Sequence, residues 1–443
     1  MAWPTSSTRG GLTAILACCW LLCGGCNLEG AGDPPPRGRI FLPTGVAVSA
    51  DGRFLFVLNS NFNRRYSSGT VQSFNIDKLQ NCDGDAADLN CQIDPEGEAL
   101  VDEVRVGSIG RTLVASPNGN RLYLPTHADG ALTYVEVDGE GKLSCGGGTR
   151  CSDLYRRGVD GDSAIGFRFP ADPVAVWPVP LSTLTCGSGE CPDTGEAVVV
   201  AHRGGEVSLF VDAPDDDGVL RPYLTHVFYG ALSGLTGLTQ DPSSGMFLLT
   251  SAANDAGSKV LSRLGVYVEA DPLQSFLYPA SFVPLRGVAS GRNTWAVQAR
   301  DGAAGEGSLL VVSQEPDALL QVDFNSATGQ ASVARAIEVG PGASRLVQGQ
   351  LSDGEMTMSV AVISCYADRR MYVVETSRGE VVAILNGFNG PFEAALDQVH
   401  NRLYVVDFRA SVLRIADLEP VLSREPARIV GTLGTPQPLE ELQ

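Results

Sequence analysis

Residues 112–138 read TLVASPNGNRLYLPTHADGALTYVEVD, and this stretch resolves into three strands and two turns. Leu113 to Ala115 is a short apolar run. Ser116-Pro117-Asn118-Gly119 follows as a turn, since proline fixes φ and Asn-Gly accepts positive φ. Leu122 to Leu124 is the second strand and His127 to Gly130 the second turn. Leu132 to Val137 alternates cleanly as the third strand.

The same unit recurs. Gly45 to Asp77 repeats it, with Asp51-Gly52 in the turn and Phe54-Leu55-Phe56-Val57 as second strand. Phe392 to Leu418 repeats it again around Arg402-Leu403-Tyr404-Val405-Val406. Four looser copies begin at Pro173, Leu235, Trp295 and Arg345. A fourth strand closes several units: Glu103 to Val106, Ala336 to Val339, Val381 to Leu385 and Ala427 to Leu433. Without residues 1–25, the 443-residue chain leaves about 60 residues to each of seven such units, against the usual ~40–50 of a propeller blade. A sandwich seldom repeats so regularly, and β-helix repeats are shorter. The expected class is all-β, a seven-bladed β-propeller of four-stranded antiparallel blades over residues 39–443, with Arg39 to Leu42 carrying the chain into the first blade.

The turn-and-strand cores ADGRFLFVLNSN, PNGNRLYLPTHADG and QVHNRLYVVDFRAS resemble YVTN-type β-propeller repeats, which read PDGxxxYVTNxxxxTVxVID. Units one, two and seven match well and the middle units loosely. Pro125 departs from the pattern; a strand tolerates it only where a ladder is ending. The resemblance implies a binding or scaffold module. It also implies an alternative, a lactonase-like hydrolase using His, Arg and Glu near the central channel, for which His127, His202 and Arg203 are the contributors in this chain.

Composition agrees with a turn-rich β protein: 44% of residues are hydrophobic, with 51 Gly and 26 Pro. The formal net charge of −19 argues against general nucleic-acid binding. Residues 1–25 carry a short polar region with Arg9, then an apolar run from Leu12 to Leu22, too short for a comfortable membrane span. Leu22-Cys23-Gly24-Gly25-Cys26 resembles the lipobox of bacterial lipoproteins, with Cys23 where Leu is usual. That resemblance implies cleavage before Cys26, acylation of Cys26, and a Pro/Gly-rich tether over 26–38. It implies an exported, lipid-anchored protein of the outer membrane, or of the cell surface or periplasm, with Asn27 following the acylated position. An ordinary secretory signal is the other reading.

Among the 11 cysteines, six form close local pairs in polar loops: Cys82/Cys91, Cys145/Cys151 and Cys186/Cys191. Such spacing suits disulfide staples in an oxidising compartment. A zinc site is the competing reading, but these cysteines include no Cys-x-x-Cys and there are 4 histidines. Cys365 is left over in an apolar run and reads as a buried thiol. No cofactor is expected, although Asp83, Asp85 and Asp88 superficially resemble a calcium loop without the EF-hand spacing.

Propeller geometry sorts loops by face. Loops between strands two and three, and from strand four to the next blade, share one face, here called upper. The remaining loops share the lower face. All three cysteine pairs are expected below, with Asp160, Asp162 and Asp215 to Asp217. Arg64, Arg65, His127, His202, Arg203, Lys259, Arg369, Arg370 and Arg409 are expected above. His127 and His202 read as equivalent, with Ser60, Ser251, Gln314, Cys365 and Phe408 in that place elsewhere. The binding-face candidates are Arg64, Arg65, His127, His202, Arg203, Arg369 and Arg409, a basic face for an anionic ligand or partner. Asp407 and Glu375 are weaker candidates as bases. The expected protein is a monomeric envelope module binding a protein or glycan. No esterase elbow, phosphate-binding loop or metalloprotease motif is present.

Overall fold

The computed structural model describes residues 32–79, 92–147, 150–159, 166–187, 191–252, 260–286, 293–299 and 307–437. The signal segment, Cys26, Cys82, Cys91, Asp83, Asp85, Asp88, Asp160, Asp162 and Lys259 lie outside these residues.

The molecule is a β-propeller. Its described strands fall into seven antiparallel groups of four, each running from the ring axis outward in chain order. The first is Pro43–Val48, Phe54–Asn59, Gly69–Asn75 and Leu100–Val106. The fourth and fifth groups merge into one larger sheet, because Leu285–Arg286 pairs in parallel with Ala331–Ser332. Innermost strands of successive sheets touch around the ring, including Pro43–Val48 against Pro391–Asp397, the first and the last. Second strands are apolar along their length, as Phe54–Asn59 is, because a sheet packs against both faces.

The core is accordingly divided into facets between neighbouring sheets. Leu55 and Val57 of the first sheet meet Tyr404 and Val406 of the last, while Phe56 and Leu58 meet Leu122 and Leu124 of the second. Each large side chain buried this way contributes roughly 1.5–3 kcal/mol. One seam holds more than apolar contact. Phe41 donates its backbone N–H to Asn59 Oδ1 at 3.0 Å and Leu42 to Ser411 Oγ at 3.0 Å. The Asn59 and Gln72 side-chain amides both donate to the Arg39 carbonyl. Arg39 to Leu42 therefore enters between the last and first sheets. Gln92–Ile93 seals the outside by pairing with Thr432 and Leu433.

The opening stretch folds as read. Val114–Ala115, Arg121–Thr126 and Ala131–Val137 pair in order, and Gly119 sits at φ 72° with its N–H on the Ser116 carbonyl at 2.9 Å. Pro125 falls where the inner ladder is interrupted between Gly110 and Val114, so no ladder bond is lost there. The fourth strand of this sheet is split. Leu143–Ser144 covers one half of the third strand and Arg156–Arg157 the other.

The cysteine expectations need one correction. Cys186–Cys191 closes a loop on the lower face, between the first and second strands of the third sheet. Cys145–Cys151 does not lie there. It closes the insertion that splits the fourth strand, both cysteines are buried in the core, and Cys151 N–H bonds the Arg105 carbonyl of the first sheet at 2.9 Å. The residues between Ser144 and Arg156 leave and rejoin one sheet edge, so their staple sits on the outer flank. Cys365 is a buried free thiol, its pKa pushed up to about 12 by burial.

Candidate functional site

The site begins with a repeated backbone irregularity. Six innermost strands shift register near their start: Pro43/Gly45, Pro173/Ala175, Leu235/Gly237, Thr294/Ala296, Ala343/Arg345 and Pro391/Glu393. Opposite the shift, at the upper end of each second strand, lies a buried side chain: Asn59, His202, Ser251, Ser313, Cys365 or Asp407. Gly110 opposite Thr126 is the corresponding place in the second sheet. Several of these side chains tie down the segment that feeds their own first strand. Asp407 accepts from Asn389 and Gly390 N–H at 3.0 and 2.7 Å, and Ser251 Oγ donates to the Ser233 carbonyl. This makes Asp407 a turn holder rather than a base; Glu375 likewise pairs with Arg424 and Arg378 on the lower face.

His202 is one of these latches. It is fully buried, with Nδ1 3.2 Å from the Ala171 carbonyl and Nε2 2.9 Å from Ser208 Oγ. Phe169 packs edge-on at 4.7 Å. Burial lowers its pKa to about 4, so the ring is neutral at pH 7. The expected equivalence with His127 is therefore out by one. Thr126, not His127, shares the position of His202, as Asn59 and Asp407 do rather than Ser60 and Phe408, and Ser313 rather than Gln314. A one-residue slip along a strand turns a side chain from the interior to the outside. His127 is exposed on the upper turn, its N–H on the Ile109 carbonyl.

Beyond five of these register shifts, the next residue lines the ring axis. Ala175, Gly237 and Ala296 are small there, whereas Arg345 and Glu393, on adjacent sheets, are charged. They line a central channel of ≈ 330 Å³ whose other polar side chains are Thr112, Gln298 and Trp177. Arg345 Nε lies 3.5 Å from Glu393 Oε2, and its guanidinium spans to the Thr236 carbonyl at 3.4 Å and stacks over Phe392. Burial raises the Glu393 pKa, with Arg345 opposing.

A second ionic group stands beside this pair. Asp172 bonds Arg111 at 3.2 Å and Arg203 at 3.0 Å. Burial lowers the Arg111 pKa; Asp172 opposes this, while Arg203 and Arg345 add to it. The three guanidiniums thus share one field. The buried Nε of Arg111 has no hydrogen-bond partner. Three cations against two carboxylates, one of them held toward its neutral form, leave a net positive upper mouth, suited to a carboxylate or phosphate oxygen.

Of the residues expected from sequence, Arg203 joins this group. Arg64, Arg65 and Arg369 are exposed on upper loops, and Arg409 is half-buried with Nε on Tyr366 Oη at 2.9 Å. None of these lines the channel. Sequence reasoning missed Arg111, Asp172, Arg345 and Glu393. The available signal was a charge two places after the entry of an innermost strand, where other repeats carry Gly or Ala. Among the described residues, no His, Cys, Asp and Glu side chains group in threes to hold a metal ion.

No family model matches the chain, and no curated protein does. Solved structures do. The Cps50 (Swd1) β-propeller domain of Myceliophteria thermophila is 13% identical with a TM-score of 0.50, covering 85% of this chain and 97% of that one. The periplasmic gluconolactonase PpgL of Pseudomonas aeruginosa is 14% identical with a TM-score of 0.49, covering 76% and 83%. Hydrazine synthase of Kuenenia stuttgartiensis is 10% identical with a TM-score of 0.48, covering 87% and 97%. At its identity, the likeness to the first of these speaks to the β-propeller fold alone.

Proposed function

We propose that the chain is a lipid-anchored binding module of the cell envelope, taking an anionic group of a protein or glycan at the upper mouth of its channel. One observation carries this reading: Arg111, Arg203 and Arg345 converge around Asp172 and Glu393, and the buried Arg111 Nε is left without an acceptor. A charge-assisted hydrogen bond there is worth about 1.5–3 kcal/mol. The lactonase-like alternative needs a base to activate water. Among the described residues, Glu393 is the only carboxylate lining the channel, and burial disfavours its ionised form. His202, the histidine offered for that role, is closed inside the third sheet with both nitrogens engaged.

The test is binding of acidic peptides and of carboxylated or phosphorylated glycans to the intact protein, alongside a panel of lactones. Binding that weakens with salt and drops at least tenfold in Arg111→Gln or Arg345→Gln supports the module. Lactone turnover abolished by Glu393→Gln would establish the hydrolase instead.

A further inference from the structure

We propose that a basic and aromatic arc on the upper face, over the sixth, seventh and first sheets, is a membrane-contact surface that seats the propeller on anionic lipid headgroups. The arc borders the channel mouth at Phe392, on which Arg345 also stacks, but its vesicle test does not depend on what the mouth binds.

The amino-terminal segment gives the first argument. Ser67, in the upper hairpin of the first sheet, donates its N–H to the Asp33 carbonyl at 3.0 Å. Gly32 lies against the same residue, so closely that a Cβ there would stand 3.1 Å from Ser67 N. Six residue steps separate Gly32 from Cys26, a reach of at most about 20 Å. With acyl chains on Cys26, this hairpin is held near the bilayer surface.

The surface itself gives the second. Arg64 and Arg65 are exposed on that hairpin, and Phe62 beside them is 49% exposed. Phe62 stands edge-on to Phe408 of the seventh sheet at 5.9 Å, and Phe408 meets Phe392 at 5.9 Å. Arg409 continues the arc by its bond to Tyr366 of the sixth sheet, whose hairpin exposes Arg369 and Arg370. An exposed phenylalanine backed by half-buried rings and flanked by arginines suits the headgroup layer, where apolar and wet surroundings meet.

Charge gives the third. Against Arg64, Arg65, Arg369, Arg370 and Arg409 stand Asp368, 3.7 Å from Arg370, and the buried Asp407, 3.6 Å from Arg414. The arc is thus positive on a chain of formal net charge −19. Each arginine near an anionic surface strengthens partitioning about fivefold.

The experiment uses the full chain carrying Cys26→Ser, so that acyl chains contribute nothing, and vesicles of phosphatidylcholine with or without phosphatidylglycerol. Cosedimentation with the anionic vesicles alone is expected. It should fall at least twentyfold when Arg64, Arg65, Arg369 and Arg370 are all replaced by Gln. Lys142→Gln with Arg378→Gln, exposed on lower loops, should leave it unchanged, and urea unfolding midpoints confirm that each variant is folded. Equal binding to both vesicle types, or equal loss in the lower-face variant, overturns the proposal. So does loss in Arg345→Gln with retention in the arc variant, which would place the headgroup in the channel mouth.

Discussion

His202→Asn separates a latch from a ligand contact. Asn59 occupies the same register in the first sheet and ties down its entry segment through a carboxamide, so asparagine is a shape the fold already uses there. The wild-type imidazole is held neutral by burial, with a pKa near 4 against 6.5 when exposed. Between those values the unfolded chain binds the proton and the folded chain does not, so stability is full above the unfolded pKa and falls as pH drops toward the folded one. At ~1.4 kcal/mol per pKa unit, the loss between pH 7 and pH 5 is about 2 kcal/mol from this residue. The assay is urea unfolding of both proteins at the two pH values. Carboxylates and the other histidines contribute equally to each and cancel in the double difference. The wild type should lose about 2 kcal/mol more than His202→Asn on acidification, with anion binding at pH 7 retained. A double difference near zero, or binding abolished at pH 7, would refute the latch.

Asp212 holds Arg121 through both carboxylate oxygens, at 2.8 and 3.0 Å, and also accepts the Glu196 N–H at 3.0 Å. Asp212→Ala should cost roughly 3–5 kcal/mol in urea unfolding, because buried Arg121 loses its ion-pair partner, and Arg121→Leu with Asp212→Leu should recover much of it. Cys365, with its thiol pKa near 12, should resist aromatic disulfide reagents at pH 8 and react once the chain is unfolded. Replacing Cys145 and Cys151 by Ser should destabilise by about 2–3 kcal/mol without altering channel binding, since the bridge stands on the outer flank; a change in affinity would mean that the flank and the mouth are coupled. At the membrane, Cys26→Ser should release the protein from native envelopes on fractionation, and undiminished retention would count against acylation.

The repeat was legible because hairpin chemistry is local. Ser116 to Gly119 declares a turn by its own residues, and the alternation of Leu132 to Val137 declares which side faces inward. The Cys145/Cys151 and Cys186/Cys191 spacings declare their pairing for the same reason. Register at the upper turns was not legible to within one residue. Turn lengths differ between repeats, so aligning on the turn at His127 rather than on the strand partner Gly110 displaced the comparison and put a buried latch on the surface. The mouth was least visible. Arg111, Asp172, Arg203, Arg345 and Glu393 come from the second, third, sixth and seventh sheets, and only closure of the ring makes them neighbours. The split fourth strand of the second sheet was hidden because each half has only two residues, too few for any period to register.

The seam between the last and first sheets has a mechanical consequence. Each group of four is built from consecutive strands, so among the described residues only the two-residue pairing of Gln92–Ile93 crosses this joint as a strand. The amino-terminal segment threads into the same joint, where Arg39 to Leu42 are held by Asn59, Gln72 and Ser411. Tension applied through this segment enters the ring at its joint rather than at the middle of a sheet. The bonds to Arg39, Phe41 and Leu42 lie in series along the pulled chain, so they break in succession, as a zip opens. Under load, these bonds at the joint are the first that the tension meets, ahead of the ladders of the sheets.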